Sequence, residues 1–171
     1  MINPGANLIE RLYPRQQCIT AAGLGEGHDF IAAFPQISYR QIEPNEPLPF
    51  PAHAFDIACA NAVLEHVGGV DRQRAFVAEL LRVGRRVFVT VPHRFFPVEH
   101  HTALPVAAWT DATFRIACRA TGKSDWAEPQ NLILMSRRKL AASCPPERKG
   151  RIGYTGLRLG PLSSNLYLAF G

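Results

Sequence analysis

The stretch from Pro92 to His101 contains three histidines and one glutamate, namely His93, Glu99, His100 and His101. Imidazole and carboxylate groups can bind zinc, and they can also act as general bases. The H-E-x-x-H spacing of a zinc-binding helix is absent, and two prolines interrupt any helix here. We therefore predict no metal site. We interpret the stretch as a loop over an active site, in which Glu99 or His100 is the general base, with an ordinary packed loop as the alternative.

Three further polar residues follow segments that resemble strands. Glu43 comes after the alternating segment 37–42, Asn61 after the apolar run 55–60, and His66 a few residues later. A parallel sheet binds its ligand at the carboxyl ends of its strands. A carboxylate there can accept hydrogen bonds from ribose hydroxyls or an adenine amino group. The simpler alternatives are a solvated acid at Glu43, a helix cap at Asn61 and a packing histidine at His66.

Predicted helices and strands alternate along the chain, and they must position these residues. Predicted helices lie at 7–12, 28–34, 71–83 and from 110 or 111 to 122, with a short one after 136. Predicted strands lie at 18–24, 37–42, 55–60, 86–91, 131–136 and 165–170, and 153–164 is a connection. The run 55–60 is predicted to be buried on both faces. This order predicts one α/β domain over residues 1–171, a Rossmann-like, mostly parallel sheet with helices on both faces and an antiparallel last strand.

Several short motifs add a family resemblance, namely Leu48-Pro49-Phe50, Phe55-Asp56, Leu64-Glu65-His66 and Glu79-Leu80-Leu81-Arg82-Val83. They resemble the class I S-adenosylmethionine-dependent methyltransferases, in the branch of the ubiquinone and menaquinone C-methyltransferases. The resemblance implies S-adenosylmethionine as cofactor, bound in part by Glu43 and Asn61. It also implies methyl transfer to a small-molecule or carbohydrate-like acceptor, with His66, Glu99 or His100 taking up a proton.

The glycine-rich turn allows two alignments with that family, whose first strand ends in a G-x-G-x-G loop. No strand is predicted ahead of Asn3, so the first family strand is predicted to be missing, and Gly23, Gly25 and Glu26 then end the second strand. Alternatively, these residues are the cofactor loop itself. Both alignments put them beside the cofactor. The first predicts that 18–24 pairs with 55–60, in the family order 3-2-4-5-7-6, or that a partner's strand fills the gap.

Composition limits the other functions. The net charge is +5, and residues 71–171 carry the positive excess, but their arginines are scattered, so nucleic-acid binding is not favoured. No apolar run is long enough to cross a membrane, and the start lacks a signal-peptide core. We predict a cytoplasmic protein with a small-molecule substrate, and we allow a homodimer. A degenerate methyltransferase-like binding or scaffold module is the alternative to an enzyme.

Overall fold

The computed structural model describes residues 7–171, which divide after Pro49 into two compact units. The helices are α1 (Leu8–Leu12), α2 (His28–Ala33), α3 (Val70–Val83), α4 (Asp111–Ala120) and α5 (Arg137–Ala142). The strands are β1 (Thr20–Gly23), β2 (Ser38–Gln41), β3 (Phe55–Asn61), β4 (Gly84–Pro92), β5 (Arg151–Leu159) and β6 (Leu162–Phe170). The α/β class is confirmed. Among residues 7–171, none of the helices combines the length and the apolar composition that crossing a bilayer needs.

The unit before Phe50 contains a parallel pair of strands, in which β1 lies beside β2. Phe34 and Ile37 are its buried hydrophobic residues among those described. The phenol of Tyr39 on β2 closes the glycine-rich turn after β1, since its hydroxyl donates a 2.6 Å hydrogen bond to the carbonyl oxygen of Gly25. This unit therefore presents the glycine turn and the end of β2 on one short parallel pair.

The unit from Phe50 onwards is built on a four-stranded mixed sheet in the order β3-β4-β6-β5. β3 and β4 are parallel, whereas β6 is antiparallel to both β4 and β5, so the predicted antiparallel last strand is confirmed. The amphipathic helix α3 packs on this sheet, because Val77, Leu80 and Val83 repeat at helical spacing and are buried. A second apolar cluster surrounds Phe114 and Cys118 of α4.

Three sequence predictions are wrong in this unit. Residues 131–136 form no strand, and they lie in an irregular segment in which Leu132, Leu134 and Met135 are buried and the N–H of Ile133 donates to the carbonyl oxygen of Glu65. Residues 153–164 are predicted to be a connection, but residues 153–159 belong to β5, the antiparallel partner of β6. β3 is buried on one face only, because Ala58 and Ala60 are buried whereas Ile57, 55% exposed, and Cys59 lie on the opposite face and are exposed.

The predicted pairing of 18–24 with 55–60 is also not what the structure shows. Among the described residues, β1 is hydrogen-bonded to β2, and β3 to β4, with no ladder joining the two sheets. The order 3-2-4-5-7-6 is therefore wrong as a continuous sheet, although its portion 4-5-7-6 corresponds to β3-β4-β6-β5.

Candidate functional site

The turn after β3 brings two titratable residues to the carboxyl end of that strand. Residues Leu64–His66 form one turn of 3-10 helix, in which Leu64 and Glu65 are buried and His66 is exposed. The side-chain amide of Gln73 on α3 holds this turn by donating a 3.1 Å hydrogen bond to the carbonyl oxygen of Leu64. The turn therefore has a fixed position on the sheet, with Glu65 pointing inwards.

The loop after β4 reaches this turn at the carboxyl edge of the sheet. The Nε2 atoms of His66 and His101 lie 3.1 Å apart, and their rings meet edge to face. Trp126 packs against both imidazoles, with ring-centroid distances of 6.2 Å to His66 and 5.1 Å to His101. The two segments therefore form one compact cluster, although 35 residues separate them in the chain.

Hydrogen bonds to the opposite ring nitrogens fix both imidazoles. Nδ1 of His66 lies 2.6 Å from the carbonyl oxygen of Asn131, and Nδ1 of His101 lies 2.9 Å from Oε1 of Glu99. A carbonyl oxygen and an ionised carboxylate only accept hydrogen bonds, so each Nδ1 must carry a proton and donate. In the neutral imidazoles, both Nε2 atoms then keep a lone pair.

Glu99 is an ionised acceptor at the centre of its loop. It is 6% exposed, and its carboxylate accepts hydrogen bonds from the backbone N–H of His101 and from the N–H and hydroxyl of Thr102, as well as from the His101 ring. Burial alone would raise the pKa of Glu99, but the hydrogen bonds from His101 and Thr102 outweigh it and lower the pKa to about 2. Glu99 is therefore a weak base, and it positions His101.

Glu65 has the opposite environment. It is 1% exposed, and neither carboxylate oxygen has a hydrogen-bond partner. Burial is the main cause that raises the pKa of Glu65 to about 7. Oε1 lies 3.7 Å from Nε2 of His101 and 4.0 Å from Nε2 of His66. A buried carboxylate thus faces two imidazole lone pairs.

His100 is the remaining predicted catalytic residue of this loop. It is exposed, contacts Phe96 edge to face, and lines a small pocket together with Glu65, His101 and Met135. Burial of part of the ring lowers the pKa of His100. His100 is therefore neutral near pH 7 and can accept a proton.

The predicted cofactor residues lie at carboxyl ends of parallel strands. Gly23 ends β1, Gly25 and Glu26 follow it, and exposed Glu43 follows β2. An added Cβ at Gly25 would meet no atom within 4 Å, whereas Glu26 pairs with Nε2 of His28 at 2.7 Å.

Asn61 ends β3 in the other unit. Its side-chain oxygen accepts a hydrogen bond from the hydroxyl of Thr90 on the neighbouring strand β4. This bond holds the Asn61 side chain at the carboxyl end of the sheet.

Sequence reasoning missed Glu65 and Trp126, and it named His101 without assigning it a role. Glu65 and His66 are adjacent in the sequence, and this adjacency is the one local sign that a single turn contributes two residues to the cluster. Trp126 and Asn131 come from a segment with no motif, and folding alone brings them to the cluster.

The fold can now be compared with known proteins. Residues 19–87 match the family model described as "Methyltransferase domain", which is less than half of the chain. A S-adenosylmethionine-dependent methyltransferase of Methanosarcina mazei superposes with a TM-score of 0.54 at 10% identity, covering 88% of this chain and 79% of that one. This chain has the class I methyltransferase fold.

Two further solved methyltransferase structures have a similar fold. A S-adenosylmethionine-dependent methyltransferase of Mesorhizobium loti has a TM-score of 0.52 at 13% identity, over 88% of this chain and 78% of the other. The CurJ carbon methyltransferase has a TM-score of 0.50 at 14% identity, again over 88% of this chain but only 40% of that one. No curated protein matches the chain by sequence. The methyltransferase fold therefore supports S-adenosylmethionine as the cofactor to consider.

Proposed function

We propose that this chain is a S-adenosylmethionine-dependent methyltransferase that acts on a small-molecule or carbohydrate-like acceptor. We further place it in the ubiquinone and menaquinone C-methyltransferase-like branch, on the motifs at 48–50, 55–56 and 64–66. The observation that carries the proposal is the family match over residues 19–87, because this stretch includes Glu43 and Asn61 as well as the glycine-rich turn. A nucleic-acid or membrane partner has no comparable support.

The residues of the first unit fit such a cofactor. In the glycine turn after β1 the Tyr39 phenol occupies the space beside Gly23, whereas the space at Gly25 is open, so a ligand can approach the backbone at Gly25. The carboxylate of Glu43 is exposed just past β2, where it can accept hydrogen bonds from two neighbouring hydroxyl groups. These are the features that binding of a nucleoside at strand ends requires.

The cofactor supplies an activated methyl group, which passes to the acceptor by in-line displacement. The chain's own contribution is to hold the acceptor in line and, where the acceptor is a hydroxyl or an acidic C–H, to take up its proton. We assign the proton to Nδ1 or Nε2 of His100, because this ring is exposed to the pocket and neutral near pH 7. Glu99 is excluded as the base by its four hydrogen bonds and its lowered pKa.

Calorimetric titration with S-adenosylmethionine and S-adenosylhomocysteine tests the proposal. We expect micromolar binding that Glu43→Ala weakens by about 10-fold or more, the size of a lost hydrogen bond to a charged group. Glu46→Ala is the matched control, since Glu46 is an exposed acid of the same loop. Both variants should melt at the temperature of the wild type.

The opposite result has a defined meaning. If the folded chain fails to bind either ligand at millimolar concentration, the enzyme proposal is wrong, and the chain is a methyltransferase-like binding module. Equal affinities of Glu43→Ala and Glu46→Ala would instead remove Glu43 from the site while leaving the activity proposal intact.

A further inference from the structure

Glu65, His66 and His101 bring three metal-ligating groups to one point of the fold. One carboxylate oxygen of Glu65 and one nitrogen from each imidazole all lie within 4.8 Å of one another. Two of the three residues come from the turn after β3, and the third comes from the loop after β4. Nothing in methyl transfer from a sulfonium group requires this combination.

Both imidazoles are oriented as metal ligands are. A ligating histidine usually donates its other ring N–H to a carbonyl or carboxylate oxygen, which fixes the tautomer and aims the lone pair. His66 does this through Asn131, and His101 through Glu99. Glu99 is itself held by Thr102, so its orientation is also fixed.

The third group is a buried acceptor without a donor. Both oxygens of Glu65 lack a hydrogen-bond partner, although the residue is 1% exposed. Burying an unpaired carboxylate is costly, and such groups in folded proteins pair with a charge or coordinate a metal. A cation placed between Glu65 and the two Nε2 atoms would satisfy all three groups at once.

We propose that Glu65, His66 and His101 bind a divalent transition-metal ion, and the ligand set of two imidazoles and one carboxylate points to Zn²⁺. Ligand atoms around a tetrahedral ion with bonds near 2.1 Å lie about 3.4 Å apart. The distances between the ligand atoms here are 3.1, 3.7 and 4.0 Å. A shift of the Glu65 carboxylate by about half an ångström would therefore close the site. Three protein ligands leave a fourth position, as in zinc sites that act on a bound molecule.

A shared proton is the competing explanation of the short contact. If one imidazole is protonated at Nε2, it can donate to the other across the same 3.1 Å. That arrangement needs no metal. It also leaves Glu65 without a hydrogen bond, because its oxygens are 3.7 Å or more from both nitrogens.

Titration of chelator-treated protein with ZnCl₂ separates the two explanations. We expect one Zn²⁺ per chain, with micromolar or tighter affinity in calorimetry. The midpoint temperature of thermal unfolding should also rise by about 5–10 °C when the free zinc concentration is 100 times the dissociation constant. No cofactor is present in this experiment, so its result is independent of the methyltransferase proposal.

Side-chain variants locate the binding. Three variants remove one ligand each, namely Glu65→Gln, His66→Gln and His101→Gln. Each should lower the affinity for Zn²⁺ by more than the roughly 10–100-fold loss typical of changes in outer-shell partners. His100→Gln is the matched control, because His100 belongs to the same loop but not to the cluster, and its affinity should stay within about 2-fold of the wild type.

A spectroscopic measurement keeps the test valid if a variant folds poorly. In Trp109→Phe protein, Trp126 is the only tryptophan, and it packs against both imidazoles. Bound Co²⁺ should quench its fluorescence in a saturable way and give tetrahedral visible absorption. Absence of Zn²⁺ binding in the folded wild type, or equal affinity in His66→Gln, His101→Gln and His100→Gln, would overturn the proposal in favour of the shared proton.

Discussion

Among individual residues, Glu99 has a structural role, because its carboxylate is fully used in holding its own loop. Its carboxylate oxygens accept hydrogen bonds from two backbone N–H groups, one hydroxyl and one imidazole. The loop from Val98 to Pro105 folds back on itself around this carboxylate, since these two residues form an isolated bridge. Removing the carboxylate would leave several buried donors without an acceptor.

We therefore predict that Glu99→Ala lowers the free energy of unfolding by roughly 2–4 kcal/mol, the cost of leaving buried donors unsatisfied. Urea denaturation followed by far-ultraviolet circular dichroism measures this change. Glu147→Ala, at an exposed position, should change stability by less than about 0.5 kcal/mol. Equal stabilities of the two variants would show that the loop does not depend on Glu99.

At the scale of elements, helix α4 begins with a well-formed cap and a charge. The hydroxyl of Thr110 accepts a 3.0 Å hydrogen bond from the N–H of Thr113. Asp111 is the first helical residue, and it pairs at 2.8 Å with Arg94 from the loop after β4. The Arg94–Asp111 pair thus ties α4 to the loop that carries Glu99 and His101.

This pair predicts a pH-dependent contribution to stability. Burial would raise the pKa of Asp111, but Arg94, and more weakly Lys139 and Arg115, outweigh it and lower the pKa. Because the folded-state pKa lies below the unfolded one, the contribution is complete above about pH 4 and is lost as the pH falls through the folded value. Asp111→Asn should cost about 0.5–1 kcal/mol at pH 7, since Asp111 is half exposed.

The measurement is a urea series at several pH values. At pH 7 the variant should be less stable than the wild type, and the difference should disappear at the acid end. Asp125→Asn is the control, because Asp125 is exposed and makes no pair with Arg94. A constant difference between Asp111→Asn and wild type at all pH values would exclude the charge as the cause.

How far the sequence predicts an element depends on what sets its pattern. α3 and β4 could be predicted because their own apolar periodicity matches the face that they bury. β5 could not, because glycines break its pattern for reasons that lie in its partner. Gly153 leaves room for the Tyr167 ring, and Gly156, at φ 81°, lies where the register with β6 shifts.

Some residues of the candidate site could likewise be predicted from the sequence, and others could not. Glu43, Asn61 and His66 follow predicted strands, so their placement at carboxyl ends follows from strand order alone. The pairing of His66 with His101 does not, because it depends on the path of the loop after β4 and on packing against Trp126. No spacing rule covers ligands from two segments that meet only in the fold.

For the whole molecule, the two units differ in how much apolar surface they bury. Of the described residues before Phe50, only Phe34 and Ile37 are buried hydrophobic residues, whereas the later unit buries one face each of β3, β4 and β6 and of the helices α3 and α4. Chains of about 40–50 residues with so small a core seldom fold alone. The free energy of opening should therefore be much lower for residues 7–49 than for residues 50–171.

We predict that a fragment of residues 50–171 unfolds cooperatively in urea, while a fragment of residues 1–49 shows no cooperative transition. The longer fragment keeps Glu65, His66 and His101, so it should bind Zn²⁺ within about 3-fold of the full chain. It lacks Glu43 and the glycine-rich turn, so its affinity for S-adenosylmethionine should fall at least about 10-fold. Calorimetry on the same preparation measures both ligands. Loss of zinc binding in a fragment that still unfolds cooperatively would show that the metal site needs residues outside 50–171, and retained S-adenosylmethionine affinity would remove the glycine-rich turn from the cofactor site.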